Sequence, residues 1–130
     1  MYRATTRQIQ ITVTPKFLTR ESAPEKNHFV WAYSIDIENR GAETVQLLSR
    51  YWRITNAMGL IQEVEGPGVV GEQPVLPPGG SFSYTSGVPL TTPSGFMDGH
   101  YVMVTREGER FEAEVPAFSL DSGAGERIVH

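Results

Sequence analysis

This 130-residue chain contains no cysteine. That absence excludes disulfide bonds, thiolate metal sites and cysteine nucleophiles, and it is compatible with a reducing compartment. No apolar run approaches the roughly 20 residues that a membrane-spanning helix needs. The first seven residues, MYRATTR, carry no apolar stretch after their basic residues and so do not resemble a secretory signal. We therefore expect a cytoplasmic protein.

Clustered positive charge is also scarce. The chain has 11 Lys and Arg residues against 15 Asp and Glu residues, which gives a net charge of −4. Proteins that bind nucleic acid usually present a basic face, whereas the nearest approach to one here is the pair Arg50 and Arg53. We expect neither nucleic acid nor an anionic membrane as a partner.

Glycine and proline, by contrast, are plentiful at 13 and 9 residues, which is frequent enough to interrupt long helices. Between them, apolar and polar residues alternate with the period of a β-strand, most clearly at residues 29–38. Further strands are predicted at residues 8–13, 45–55, 60–65, 81–86, 100–105 and 110–115. Pro15 closes the first of them, and the last two form a hairpin across Glu107 and Gly108. Residues 87–99 are predicted to be a long connection.

About seven short strands without a long helix predict an all-β fold, namely an immunoglobulin-like or fibronectin-type-III-like β-sandwich. The length suits a single domain over residues 1–130. We place its core at about residues 8–120 and a tail at residues 121–130.

The glycines Gly66, Gly68 and Gly71 form a G-x-G-x-x-G pattern. In dinucleotide-binding proteins this pattern joins a strand to a helix whose N-terminus binds phosphate. Here it is followed by EQPVLPPGG, which cannot form a helix. One interpretation is an anion site formed by the backbone of this loop, including Val69 and Val70, with Arg50 supplying the cation. The other is a tight turn between sheets, which the neighbouring acidic residues Glu63, Glu65 and Glu72 favour.

Five sequence blocks occur in order: VQLLSRYW at 45–52, GVVGEQP at 68–74, YTSG at 84–87, TPSGFMDGHY at 92–101 and PAFSL at 116–120. With these blocks the chain resembles the bacterial ApaG family from around Ile9 to the C-terminus. The resemblance implies a fibronectin-type-III-like sandwich, in agreement with the strand pattern. The family often has a histidine where this chain has Tyr51, and that difference weakens a histidine-based metal site at this block.

The resemblance also has implications for function. The family's gene lies beside one for a diadenosine tetraphosphate hydrolase, and the glycine pattern implies nucleotide or pyrophosphate binding. The family name is also associated with cobalt and magnesium resistance. Similar eukaryotic domains are attached to an F-box protein and to a DNA-polymerase-interacting protein, which implies protein binding.

Two groups of residues are candidate contacts for a protein partner. Tyr51 and Arg53 belong to residue types that dominate interface hot spots, and alternation along a strand places them on one face, with Arg50 and Trp52 on the other. Trp52 is predicted to lie in the core. Phe96 and Met97 fall within a predicted long loop, residues 91–99, where they either plug one end of the sandwich or form an exposed apolar patch.

No residue pattern indicates catalysis. His28, His100 and His130 lie too far apart in sequence for a zinc motif, and no nucleophile is accompanied by a positioned base. We expect no enzyme activity, no resident metal and no cofactor, and a divalent cation is left open as an alternative.

The sequence leaves three functional hypotheses. The first is a non-enzymatic module that binds a protein partner through loop and edge-strand surface. The second is binding of a phosphate-containing small molecule, such as a dinucleoside polyphosphate, at the Gly66–Gly71 loop. The third, handling of Co²⁺ or Mg²⁺, has the least support because no coordination set is present. Free sheet edges allow either a monomer or a weak homodimer.

Overall fold

The alternating segments of the sequence form two antiparallel sheets in a computed structural model that describes residues 1–123. The nine strands are β1 Tyr2–Thr6, β2 Ile9–Phe17, β3 Phe29–Asn39, β4 Val45–Asn56, β5 Ile61–Pro67, β6 Val75–Leu76, β7 Ser81–Leu90, β8 Ser94–Thr105 and β9 Arg110–Asp121. One sheet has the order β1-β2-β3-β7, and the other has the order β5-β4-β8-β9 with β6 paired to β4. The predicted all-β sandwich is confirmed, with more strands than the expected seven.

The core lies between the two sheets and is built from one face of each strand. On β3 the alternate residues Phe29, Trp31, Tyr33, Ile35 and Ile37 are all buried. The opposing sheet contributes large buried side chains from β4, β8 and β9, including Trp52, Tyr101, Met103 and Phe118. Burial of each such side chain stabilises the fold by about 1.5–3 kcal/mol. Because Trp52 is 3% exposed, its predicted position in the core is confirmed.

Two prolines lie inside strands that were predicted to end before them. Pro15 belongs to β2, but β1 pairs with β2 only as far as Val13. Pro89 belongs to β7, an edge strand that pairs with β3. A proline is tolerated at a sheet edge because its missing N–H is not needed for a second ladder of hydrogen bonds. Strands β2 and β7 are therefore longer than the sequence predicted.

The predicted long loop at residues 91–99 is wrong. Only residues 91–93 separate β7 from β8, and Phe96 and Met97 lie within β8. Alternation along the strand sends the two side chains to opposite faces, so Met97 is 1% exposed and Phe96 is 44% exposed. Met97 is a core residue and is not available as a partner contact, whereas Phe96 remains on the surface.

A four-residue turn at residues 56–59 predicts Arg50 opposite Glu65 and Trp52 opposite Glu63, to within a residue or two. The observed register of the β4–β5 hairpin is one residue away from that pairing. Arg50 lies opposite Gly66 and Trp52 opposite Val64, so neither faces the glutamate expected there. Farther back along β4, the pairing with β8 shifts between Leu47 and Ser49, which marks a β-bulge.

The two long sides of the sandwich differ. On one side β1 lies against β9, where the Glu114 N–H donates to Thr6 Oγ1 at 3.2 Å and the Ser119 N–H donates to the Tyr2 hydroxyl at 3.3 Å. On the opposite side β5 pairs with β4 and β7 pairs with β3, and no ladder joins β5 to β7 within residues 1–123. The sandwich is therefore closed along one side and open along the other.

The described part of the chain holds one helical segment, a 3₁₀ turn at Pro24–Lys26, which is far too short to cross a membrane. At the other end, Asp121 is still the last residue of β9. The tail predicted at residues 121–130 stays a prediction, since residues 124–130, with His130, lie outside the described residues.

Candidate functional site

The glycine pattern leads from the end of β5 into a two-residue hairpin. Val69 and Glu72 exchange both backbone hydrogen bonds, at 2.8 and 2.9 Å, and the central residues Val70 and Gly71 have φ of 43° and 81°. Positive φ at both central residues is the requirement of a type I′ turn. The Gly68 N–H also donates to the Leu48 carbonyl at 2.8 Å. The N–H groups of Gly68 and Val69 are therefore already used by the protein's own carbonyls.

One of the glycines is needed for close packing, and a second lies in tight contact with a side chain of β4. A Cβ on Gly68 would lie 2.3 Å from the Glu72 carbonyl oxygen, and Gly68 has a φ of 61°. A Cβ on Gly66 would lie 3.2 Å from Arg50 Nη1. The pattern thus has a structural explanation in a tight turn and in the space that the Arg50 side chain occupies. Anion binding by this loop stays a prediction.

Arg50 lies across Gly66 on the inner side of β4. Its Nη1 donates to the carbonyl oxygens of Pro67 and Gly68, both at 3.0 Å. No carboxylate within residues 1–123 lies at ion-pair distance from it. The side chain is half-buried, so this guanidinium is a partly desolvated positive charge whose contacts are neutral carbonyls.

Tyr51 and Arg53 share the outer face of β4, as predicted, and neighbouring side chains engage both. The Tyr51 hydroxyl donates to Glu63 Oε2 at 2.7 Å, and its ring stacks on His100 with centroids 5.1 Å apart. Arg53 forms a bidentate pair with Asp98 at 3.1 and 2.9 Å. The hydrogen bond to Glu63 raises the pKa of Tyr51, since the carboxylate favours the protonated phenol. This face is a self-paired polar surface.

A groove runs along the open side of the sandwich, between β5 and β7. It consists of two adjoining hollows of about 420 Å³ and 240 Å³ that share Ile54, Gln62 and Pro89. We call them together the β5–β7 groove. Its walls contain mostly apolar or uncharged side chains, and among the described residues the two ionisable side chains besides tyrosine are Arg50 and His28. One apolar residue of the β4–β5 turn, Leu60, lines it with an exposure of 66%.

Three tyrosine side chains lie at or near the hollow of about 240 Å³. Tyr33 lines it with Arg50 and Ser86, and the hydroxyls of Tyr84 and Tyr101 are 2.6 Å apart. Burial raises the pKa of all three tyrosines, and the positive charge of Arg50 opposes that rise in each. Arg50 therefore lies within electrostatic reach of a cluster of neutral hydroxyl groups.

This groove was not predicted from the sequence, because residues 87–90 were assigned to a long connection. The signal was present in the alternation of Phe82, Tyr84, Ser86, Val88 and Leu90, which continues through Pro89. Of the predicted site residues, the structure brings Arg50 to the groove and leaves Tyr51, Arg53 and Phe96 on the other face of the same sheet. No group of three potential metal ligands occurs within residues 1–123.

An open-sided, two-sheet β-sandwich with a tight glycine turn after its fifth strand thus defines the structural class of this protein. The ApaG domain family matches residues 19–105, and the chain belongs to that family. A Protein ApaG from Rhodospirillum centenum is 62% identical over 125 residues, or 96% of each chain. A Protein ApaG from Parvibaculum lavamentivorans is 57% identical over the full length of both.

The fold is also similar to that of solved structures. The crystal structure of a Bordetella pertussis protein described as ApaA superimposes with a TM-score of 0.86 at 42% sequence identity. The match covers 89% of this chain and 94% of the other. The family resemblance stated from the sequence is confirmed, and the fold is shared across the matched length.

Proposed function

We propose that this protein is a non-enzymatic binding module that takes an extended segment of a protein partner as an additional strand along β7, beside the β5–β7 groove. The observation that carries the proposal is the free edge of β7. This strand pairs with β3 on one side, and addition of a strand to such an edge is a common mode of peptide recognition.

The composition of β7 supports this role. Its ten residues, SFSYTSGVPL, include no charged side chain. Natural sheets usually protect free edges with lysine, proline or a bulge, because an unprotected edge pairs with other chains. Here the protection is confined to Pro89, near the end of the strand, and the register with β3 is continuous from Ser81 to Leu90. Residues 81–88 therefore offer an unprotected edge.

The groove adds side-chain contacts to this backbone edge. A strand laid along β7 would direct alternate side chains toward the groove, where Val88 and Leu90 are already buried and Leu60 is exposed. Main-chain hydrogen bonds would supply affinity, and the hollows would select among side chains. An apolar strip next to an open edge fits an extended peptide better than it fits a small polar ligand.

The test begins with a photo-reactive amino acid at Thr85, on the exposed face of β7, and at Glu112, on the other sheet, in living source cells. We expect a discrete adduct from position 85 and none from position 112. The protein captured at position 85 is then purified, and its binding is measured with hydrogen exchange resolved by residue. Slower exchange at the amides of residues 81–88 is the expected result.

A matched pair of charge variants completes the test. Thr85→Lys places a protective charge on the edge and should weaken binding by about tenfold or more, whereas Glu112→Lys should leave it unchanged. Absence of an adduct at position 85, or slower exchange confined to the Tyr51 and Arg53 face, would overturn the proposal.

A further inference from the structure

Arg50 has binding capacity that the fold does not use. Both hydrogen bonds of this side chain come from Nη1, to the carbonyls of Pro67 and Gly68, and the N–H groups on Nε and Nη2 have no hydrogen-bond acceptor within residues 1–123. An arginine fork that keeps these donors can bind a carboxylate through charge-assisted hydrogen bonds.

The surroundings of Arg50 in the groove favour an anion. The hydroxyl-bearing residues Tyr33 and Ser86 line the same hollow as the guanidinium, and no aspartate or glutamate among residues 1–123 lines either hollow. The chain as a whole carries a net charge of −4, so this hollow differs in sign from the molecule around it. A negative group that enters it meets one unpaired positive charge and neighbouring hydroxyl groups.

We infer that Arg50, with the hydroxyls of Ser86 and Tyr33, is a receptor for a carboxylate carried by the segment that docks on β7. The inference rests on the proposed function, since it assigns the chemistry that the groove selects. The carboxylate can belong to an acidic side chain or to a chain terminus, because both present the same pair of oxygens to the guanidinium. Gly66 is the residue that leaves room for this arginine on the neighbouring strand.

The experiment is a residue-resolved NMR titration with four probes. They are the capped pentapeptide acetyl-Thr-Val-Glu-Val-Thr-amide, its Gln counterpart, acetyl-Thr-Val-Thr-Val-Thr with a free C-terminus, and inorganic phosphate. The Arg50 Nε–H signal reports the carboxylate site, and the amides of residues 81–88 report strand addition. We expect a saturable shift at Arg50 with a carboxylate peptide and at least about tenfold weaker binding of the Gln peptide.

The two carboxylate peptides identify the source of the negative group. A shift with the Glu peptide points to an acidic side chain, and a shift with the free C-terminus points to a chain end. Arg50→Gln should remove either response, and Arg53→Gln, the same change on the opposite face of β4, should retain it. Amide exchange and thermal unfolding establish that both variants are folded.

The outcomes separate the two proposals. If the amides of β7 respond to all peptides alike and Arg50 does not, strand addition stands and the carboxylate receptor is wrong. If no probe moves Arg50, the inference is wrong whatever happens at β7. Tighter binding of phosphate than of either carboxylate peptide would also overturn it, in favour of a phosphate site. A response at Arg50 without one at β7 would support the receptor and contradict the docking mode.

Discussion

At the residue scale, two glycines of the G-x-G-x-x-G pattern can be compared, because Gly68 is tightly packed and Gly71 is not. Gly68→Ala introduces a Cβ that meets the Glu72 carbonyl oxygen at 2.3 Å, at a φ of 61°. Gly71→Ala also meets a positive φ, of 81°, but nothing lies within 4 Å of its Cβ. We expect Gly68→Ala to lower the free energy of unfolding by about 3 kcal/mol or more, against about 1 kcal/mol for Gly71→Ala.

Urea unfolding of the two variants measures this difference. Equal losses would mean that backbone conformation alone explains both glycines and that close packing at Gly68 is unimportant.

The neighbours Phe96 and Met97 provide a second test at this scale. Truncation of a fully buried methionine leaves a cavity, so Met97→Ala should cost about 2–5 kcal/mol. Phe96→Ala removes a side chain that is 44% exposed and should cost about 1 kcal/mol or less. The midpoints of urea unfolding at constant slope give both values. A smaller loss for Met97→Ala than for Phe96→Ala would contradict the assignment of Met97 to the core.

At the scale of the element, β1 is a strand that was not predicted from the sequence. Tyr2–Thr6 has no strong apolar alternation, and it is a strand because it pairs with β2 and contacts β9. Its hydroxyls accept hydrogen bonds from backbone N–H groups of β9, and the centroid of the Tyr2 ring lies 6.2 Å from that of Phe118. Such distant contacts are not encoded locally. The strands with large apolar residues on one face, β3 above all, could be predicted, whereas the proline-containing ends of β2 and β7 could not.

The same reasoning explains the outcome for the site. Arg50 could be chosen as a cation near the glycines from sequence alone, since the two segments form one hairpin. Its place in a groove depends on β7, which belongs to the other sheet and lies far along the chain. The packing of two sheets decided that juxtaposition, and no local pattern in the sequence carries it.

Deletion of residues 1–6 tests the contribution of β1. We expect a loss of about 2–4 kcal/mol in unfolding free energy, because Tyr2 no longer covers Phe118 and two backbone N–H groups of β9 lose their acceptors. Hydrogen exchange should accelerate at Glu114 and Ser119 in particular. Arg3→Ala, on the exposed side of the same strand, is the control and should change neither quantity. Unaltered exchange at both amides in the deletion would mean that β1 does not close the sandwich.

At the scale of the whole molecule, the buried tyrosines make stability depend on pH in alkaline solution. In the unfolded chain a tyrosine has its ordinary pKa and loses its proton at about pH 10. In the folded protein burial raises the pKa of Tyr33, Tyr84 and Tyr101, so these groups stay protonated at that pH. The unfolded state then binds fewer protons than the native state, and stability falls as the pH rises.

We expect stability contributed by these groups to be complete below about pH 9 and to decline above pH 10, by about 1.4 kcal/mol per pH unit for each group. Urea unfolding at a series of pH values measures the decline. The double variant Tyr84→Phe, Tyr101→Phe removes both partners of one hydrogen bond and should show a shallower decline. An identical slope in the double variant would exclude these hydroxyls as its cause.

The placement of the two tryptophans gives the molecule its own optical label. Trp31 is 1% exposed and donates its indole N–H to the Asp121 carbonyl at 3.2 Å, far along the chain. Trp52 is 3% exposed and, with Arg50, lines the hollow of about 240 Å³ in the β5–β7 groove. In a Trp31→Phe variant the tryptophan emission would come from Trp52 alone, so occupation of the groove could be followed as a change in the wavelength and intensity of that emission, without a dye.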